Sequence, residues 1–180
     1  EYADDDDLYT RPGINEWSTE IFPSRITSLH YYENKDGDIS ILATSKDKLY
    51  ASPNFNPVWD DITASLNLPD NKFWMWRNWQ GYAIGVSHGA DGNPTAAYPI
   101  KFDGTTASVL ANAPRGKYLE VWNERLWLVS AEDPNVIYGS SLGNPENWTV
   151  DGADDAVIID VGKNDGDKIT GIYAFRGQLF

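Results

Sequence analysis

A weak internal repeat with a period of about 45 residues constrains the fold more than any other feature of the chain. Its clearest echo sets Leu49-Tyr50-Ala51-Ser52, Asn56-Pro57 and Trp59 against Ile137-Tyr138-Gly139-Ser140, Asn144-Pro145 and Trp148. Tyr50 and Tyr138 stand 88 residues apart, as do Asn56 and Asn144, and Pro57 and Pro145. A second echo sets Ile26-Thr27-Ser28-Leu29-His30-Tyr31 against Ile169-Thr170-Gly171-Ile172-Tyr173-Ala174. A third sets Trp122-Asn123-Glu124-Arg125-Leu126-Trp127 against Phe175-Arg176-Gly177-Gln178-Leu179-Phe180. Each unit is built of short aromatic strands and tight turns. Half of the 88-residue offset is the length of one four-stranded blade, so the repeat predicts an all-β chain of β-propeller-like antiparallel blades.

The 180 residues suffice for one ordinary domain with a real core. A hydrophobic content of 41%, with 8 Trp and 10 Tyr, excludes a disordered chain and favours pleated, half-buried surfaces. The chain has no cysteine, which excludes a disulfide framework and a thiolate metal site. The net charge is −13, and the 14 Lys and Arg are scattered, so no basic patch announces phosphate binding. No apolar stretch approaches the roughly 18 residues that read as a spanning helix. Glu1 to Asp7, with consecutive Asp at 4–7, reads as a solvated acidic run and lacks the character of a signal peptide. Because the sequence starts at Glu1, a processed product or fragment is expected.

Two segments follow: an acidic lead-in and entry segment over 1–25, and a propeller-like domain over 26–180, a partial propeller of three near-complete blades and the start of a fourth. The first unit has strands near 26–32, 39–44 and 48–52, with a fourth at 58–62. Asp36-Gly37 predicts a type I′ hairpin turn. The second has strands near 73–79, 82–87, 95–102 and 105–111, separated at Gln80-Gly81, Asp91 to Pro94 and Asp103-Gly104. The third has strands near 117–122, 125–130, 135–140 and 156–161, turning at Asn123-Glu124 and Asp133-Pro134-Asn135. A fourth unit begins at Lys168 and holds one hairpin turn, Arg176-Gly177. Asp61 to Leu68 predicts a short helical turn, capped by Asp61 and stopped by Pro69. Gln178-Leu179-Phe180 reads as the start of a buried strand whose edge needs a partner. The chain is therefore expected to continue, or to have that edge covered by another segment or subunit.

Few residues invite chemistry. Asn34 to Asp38 and Asn164 to Asp167 suggest calcium loops, but an EF-hand register on the first would need Tyr32 and Ala43 as ligands, so solvated turns are the better reading. His30 and His88 are too few for a histidine metal site and lack a His-Glu-x-x-His spacing. His30 lies in an aromatic strand and reads as a packing residue. No nucleophile elbow, phosphate loop or dinucleotide fingerprint occurs. Asn147-Trp148-Thr149 matches a glycosylation sequon without a secretory signal beside it. Asp154-Asp155 and the 4–7 run read as solvated acidic loops. Trp74, Trp76, Trp79, Trp122 and Trp127 suit a sugar platform or a packed core, and the core is favoured. No catalytic residue, cofactor-binding residue or metal ligand is therefore assigned.

Ser52 to Trp59 loosely resembles the Asp-box turn of sialidase-type propellers, with Asn54 and Asn56 in place of the Asp and Gly. A closer resemblance is carried by Val121-Trp122-Asn123-Glu124-Arg125-Leu126-Trp127-Leu128-Val129-Ser130 and by Asn135 to Trp148. Together with Arg11-Pro12-Gly13, Ile26 to Tyr32 and Ile41 to Tyr50, these stretches resemble the tail nozzle, tail tubular or tail hub β-propeller proteins of short-tailed bacteriophages. Glu124 stands as an insertion between the Asn and Arg of that pattern. The resemblance implies a virion structural protein that forms or seals the DNA-ejection channel and is not an enzyme. It also implies a homo-oligomeric, six-fold ring, contacts with adaptor, fibre or needle proteins, no cofactor, no specific nucleic-acid binding and no membrane. The acidic charge would then repel DNA from the channel wall or keep an exposed surface soluble. The alternative is a carbohydrate-binding or glycosidase-type propeller, which needs paired carboxylates that no spacing singles out. A WD-repeat scaffold ranks last, because its signature pairs are missing from the required repeat positions.

Overall fold

The structure, a computed structural model, describes residues 18–19, 21–88, 98–152, 155–162 and 167–180. Among these the fold is all-β, with no helix. The first sheet runs β1 (Ile26–Glu33), β2 (Ile39–Ser45), β3 (Lys48–Pro53) and β4 (Asp60–Asp61). The second runs β5 (Phe73–Trp79), β6 (Tyr82–His88), β7 (Ile100–Phe102) and β8 (Ala107–Val109). The third runs β9 (Gly116–Trp122), β10 (Arg125–Ser130), β11 (Val136–Gly139) and β12 (Val157–Asp160). A final hairpin pairs β13 (Ala174–Phe175) with β14 (Gln178–Leu179). Every sheet is an antiparallel meander in chain order. Tyr50 and Tyr138 both fall on third strands, where the 88-residue echo places them.

The hairpin turns follow from local chemistry. Gln80-Gly81, Asn123-Glu124 and Arg176-Gly177 each have positive φ at both residues, as a type I′ turn demands. Their flanking pairs are Trp79 with Tyr82, Trp122 with Arg125, and Phe175 with Gln178. The turn between β1 and β2 differs from the type I′ expectation. Only Gly37 has positive φ there, and Gly37 N–H donates to Asn34 C=O while Asn34 N–H donates to Asp38 C=O. This is a three-residue loop in which a left-handed glycine follows an ordinary turn. Asn34 Oδ1 accepts from the amides of Asp36 and Asp38 and fixes the loop from within.

The helical turn expected over 61–68 does not form. Asp61 Oδ1 accepts from Thr63 N–H as a cap would, but Ala64 adopts φ +46, which ends right-handed winding at once. Thr63 instead docks on β3, its hydroxyl accepting from Leu49 N–H. The Asp91 to Pro94 turn and residues 95–97 of the expected third strand lie outside the described residues.

Sheets pack face to face in chain order, and period-two alternation divides β6 and β10 each between two cores. Ala83 faces a core shared with Tyr32, Leu42 and Leu49 of the first sheet, while its neighbour Ile84 faces one shared with Leu119, Leu126 and Leu128 of the third. On β10, Leu126 and Leu128 face the second sheet, and Trp127 and Val129 face the hairpin through Ile172. Burial on both faces explains why β10 reads Arg-Leu-Trp-Leu-Val-Ser with no polar alternation and is buried throughout. Each large side chain so buried contributes about 1.5–3 kcal/mol.

Two strand glycines make room for tryptophan. Trp76 pairs with Gly85, and Trp127 with Gly139. A Cβ on Gly85 would stand 2.6 Å from the Trp76 ring, and one on Gly139 2.9 Å from the Trp127 ring. Neither ring can retreat, since Trp76 and Trp127 are buried. Gly85→Ala should therefore destabilise the fold by about 1–3 kcal/mol through overpacking, read as a lower midpoint in urea unfolding.

Candidate functional site

The described residues with the most concentrated polar chemistry lie along the first strands. β1, β5, β9 and β13 are spatial neighbours in that order. They share no backbone ladder, so side chains make the connections. His30 Nε2 lies 2.7 Å from Asn78 Oδ1, and Asn78 Nδ2 donates to Tyr31 C=O. His30 also stacks on Trp76, and Trp76 Nε1 donates to Ser28 Oγ. Next, Arg77 meets Glu120 with a two-pronged grip, Nε to Oε1 at 2.9 Å and Nη2 to Oε2 at 3.0 Å. Glu120 Oε1 also accepts from Val121 N–H, and the Ala174 amide of β13 adds a further bond to the carboxylate. The row thus links all four sheets.

The electrostatics of the row follow from burial and from its bonding partners. Burial pushes the Glu120 carboxyl up, but the bonds from Arg77, the Val121 amide, the Arg77 charge and the Ala174 amide outweigh it and hold the group below its ordinary 4.5. Burial is also the main reason that His30 falls below its ordinary 6.5, aided by the Arg77 charge and opposed by the Asn78 bond. Glu120 is an anion with its acceptor sites filled, and His30 is held neutral against an aromatic face. These contacts tie β1, β5 and β9 to one another.

The residues singled out by sequence are scattered. Asn34, Asp36 and Asp38 close a hairpin loop in the first sheet. Residues 164–166, Asp4 to Asp7 and Asp154 lie outside the described residues, while Asp155 offers its backbone C=O to buried Arg125. His88 ends β6. Trp74, Trp76 and Trp127 are core residues, and Trp79 and Trp122 are half-buried against the second and third cores. Among the described residues no group of three His, Asp or Glu stands close enough to hold a metal ion.

Both corner turns are built from their own side chains. Ser52 Oγ donates to Asn56 C=O, and Asn54 and Phe55 both take positive φ. In the later turn Trp148 Nε1 donates to Pro145 C=O, and Asn144 Oδ1 accepts from Glu146 N–H. Glu146 then pairs with Lys101 at 2.7 Å and ties this corner to the second sheet. An open groove of about 730 Å³ lies between the third sheet and the hairpin. Trp122, Trp127, Ile137, Ile159, Ile169 and Leu179 line it, with no ionisable side chain among the described residues of its wall.

Sequence reading missed the Arg77–Glu120 pair. The two residues share a place, each two positions before the residue that closes a type I′ hairpin, so aligning the hairpins would have exposed the complementary charges. Within the entry segment, Phe22 packs edge-on against Tyr50 and Trp59, and Ser24 bonds Ser45 and Asn71. Comparison with family models, with curated proteins and with solved structures found no match.

Removing Arg77 leaves the buried Glu120 carboxylate without its counter-charge, held only by the Val121 and Ala174 amides. Arg77→Ala should cost about 2–4 kcal/mol, less than for a fully buried pair because water reaches part of the guanidinium. The pH dependence has a defined sign. Glu120 is more acidic folded than unfolded, so its contribution is complete above about pH 4.5 and is lost as the pH falls through the lowered folded value. The stability gap between wild type and Glu120→Gln should accordingly shrink below that pH. Urea titrations from pH 7 to pH 3 measure it.

Proposed function

We propose that this chain is a structural part of a phage tail, a nozzle or hub ring built on β-propeller blades, that forms or seals the DNA-ejection channel and docks other tail proteins. The observation that carries the reading is the side-by-side order of the four first strands. Meanders stacked face to face in chain order, with their first strands converging, are the arrangement that radial blades require. The resemblance over 121–148 supplies the tail assignment, and the self-bonded corner that ends at Trp148 supports a rigid scaffold.

In this reading the protein acts through shape and charge. The sheets give a stiff wall, and repeated copies assemble into a ring of six-fold symmetry. A net charge of −13 per copy keeps DNA from adhering to the passage. The protein belongs to the virion and takes no cofactor and no membrane. The carbohydrate-active alternative gains no support from Glu120, which Arg77 and backbone amides occupy fully.

Two measurements test this. Gel-shift titration at about 50 mM salt should show no retention of duplex DNA, where a phosphate-binding protein would bind tightly. Cryo-electron microscopy of particles carrying the protein should place it in a ring on the tail axis. Hydrolysis of a glycoside by the purified chain, abolished by one carboxylate-to-amide change, would refute the proposal in favour of an enzyme.

A further inference from the structure

A cation recurs at one place in all four units. Arg25 stands immediately before β1, Lys72 before β5 and Arg115 before β9. The final hairpin follows the same rule. Lys168 lies seven residues before the hairpin-closing Phe175, as Lys72 does before Trp79 and Arg115 before Trp122. The echo that sets Ile26 against Ile169 gives the same pairing, since it aligns Arg25 with Lys168. With 14 Lys and Arg among 180 residues, four such coincidences are a poor product of chance. Arg25 and Lys168 are exposed and Lys72 is half-buried. Arg115 lies over the Tyr98 ring and 3.7 Å from the exposed Glu132 carboxylate.

The fold gathers these residues. Trp76 bonds Ser28 and Asn78 meets His30, so β1 and β5 run in the same direction and begin at the same end. β9 and β13 follow them as neighbours in order. The four cations therefore form a row where the first strands begin. Lys117 joins it on β9, and together these bases outnumber Asp70 and Asp167, the acidic residues beside Lys72 and Lys168. The opposite end of the same strands has the other sign, with Glu33, Asp36, Asp38 and Glu124 against Lys35 and Arg176. In a chain of net charge −13 the basic end runs against the overall balance.

We infer that this end of the first-strand row docks a narrow acidic polypeptide segment, whose carboxylates pair with Arg25, Lys72, Arg115 and Lys168 in turn. Packed sheets stand about 10 Å apart and an extended chain rises about 3.4 Å per residue, so roughly eight residues span the row. Further out, the same end carries Asp47 between β2 and β3, and Glu132 and Asp133 between β10 and β11. A single acidic segment laid along the inner row avoids those carboxylates, whereas a nucleic-acid duplex is broad enough to meet them. Exposed pairs are individually weak, so affinity comes from the repetition and falls with salt. Docking at this row is independent of the tail reading, and either can fail without the other.

A glutamate octapeptide is the probe. Followed by NMR at about 50 mM salt, it should bind with a Kd of about 0.1–1 mM and weaken severalfold at about 0.3 M. Arg25→Gln, Lys72→Gln and Lys168→Gln should each weaken binding by about threefold, and together by at least about tenfold. Lys35→Gln with Arg176→Gln, at the opposite end, should leave it unchanged. Circular dichroism checks that each variant folds, and the single variants carry the test should the triple variant not fold. Carbodiimide coupling reads the position, since peptide carboxylates should be joined to the Lys72 and Lys168 amines and not to Lys35. Absence of binding up to about 5 mM peptide overturns the inference. So does coupling confined to Lys35, or an equal loss from the opposite-end variants. Tighter binding by a duplex of about 20 base pairs than by the octapeptide also overturns it, and assigns the row to nucleic acid.

Discussion

The sheets of this protein are joined to one another by side chains, and the Arg77–Glu120 pair is the junction that ties three of them together. Backbone ladders stop at the edge of each meander. What lies between meanders is apolar packing, which is strong and non-directional, and a few polar contacts, which are weaker and directional. Packing alone would let neighbouring sheets slide. A two-pronged guanidinium–carboxylate contact fixes both distance and orientation. Because Glu120 also takes amides from its own strand and from β13, one carboxylate registers three successive sheets.

The strand pattern was legible because it rests on local signals. Type I′ turns need residues that tolerate positive φ, and Gln-Gly, Asn-Glu and Arg-Gly stand where aromatic strands break off. The second strand of the third sheet announces burial on two faces by its unbroken apolar run, Leu126 to Val129. The misreadings were local also. Asp61 and Pro69 carry helix start and stop signals, but Thr63 gains more by bonding β3 than by continuing a turn. The Asp36-Gly37 loop takes one extra residue because Asn34 captures two amides with a single side-chain oxygen.

The polar row was illegible for a different reason. His30, Asn78, Arg77 and Glu120 come from three separate sheets, and their meeting depends on how those sheets pack rather than on any local rule. Trp76 and Gly85 show the intermediate case. Each is unremarkable alone, and only the strand register reveals that the glycine leaves room for the ring. A repeat legible in sequence thus locates equivalent positions, but the partners they find are set by the sheet on either side.

Meander topology has a consequence for how the chain reaches this state. Every strand pairs with its immediate neighbours in sequence, so loop-closure costs within a sheet are small. A nascent chain can finish one sheet before the next has left the ribosome, and each finished sheet becomes the template on which its successor condenses. Throughout synthesis the growing end exposes one fresh apolar surface. Such an intermediate is vulnerable to premature encounters between chains, and the rate at which each successor sheet arrives sets how long that vulnerability lasts.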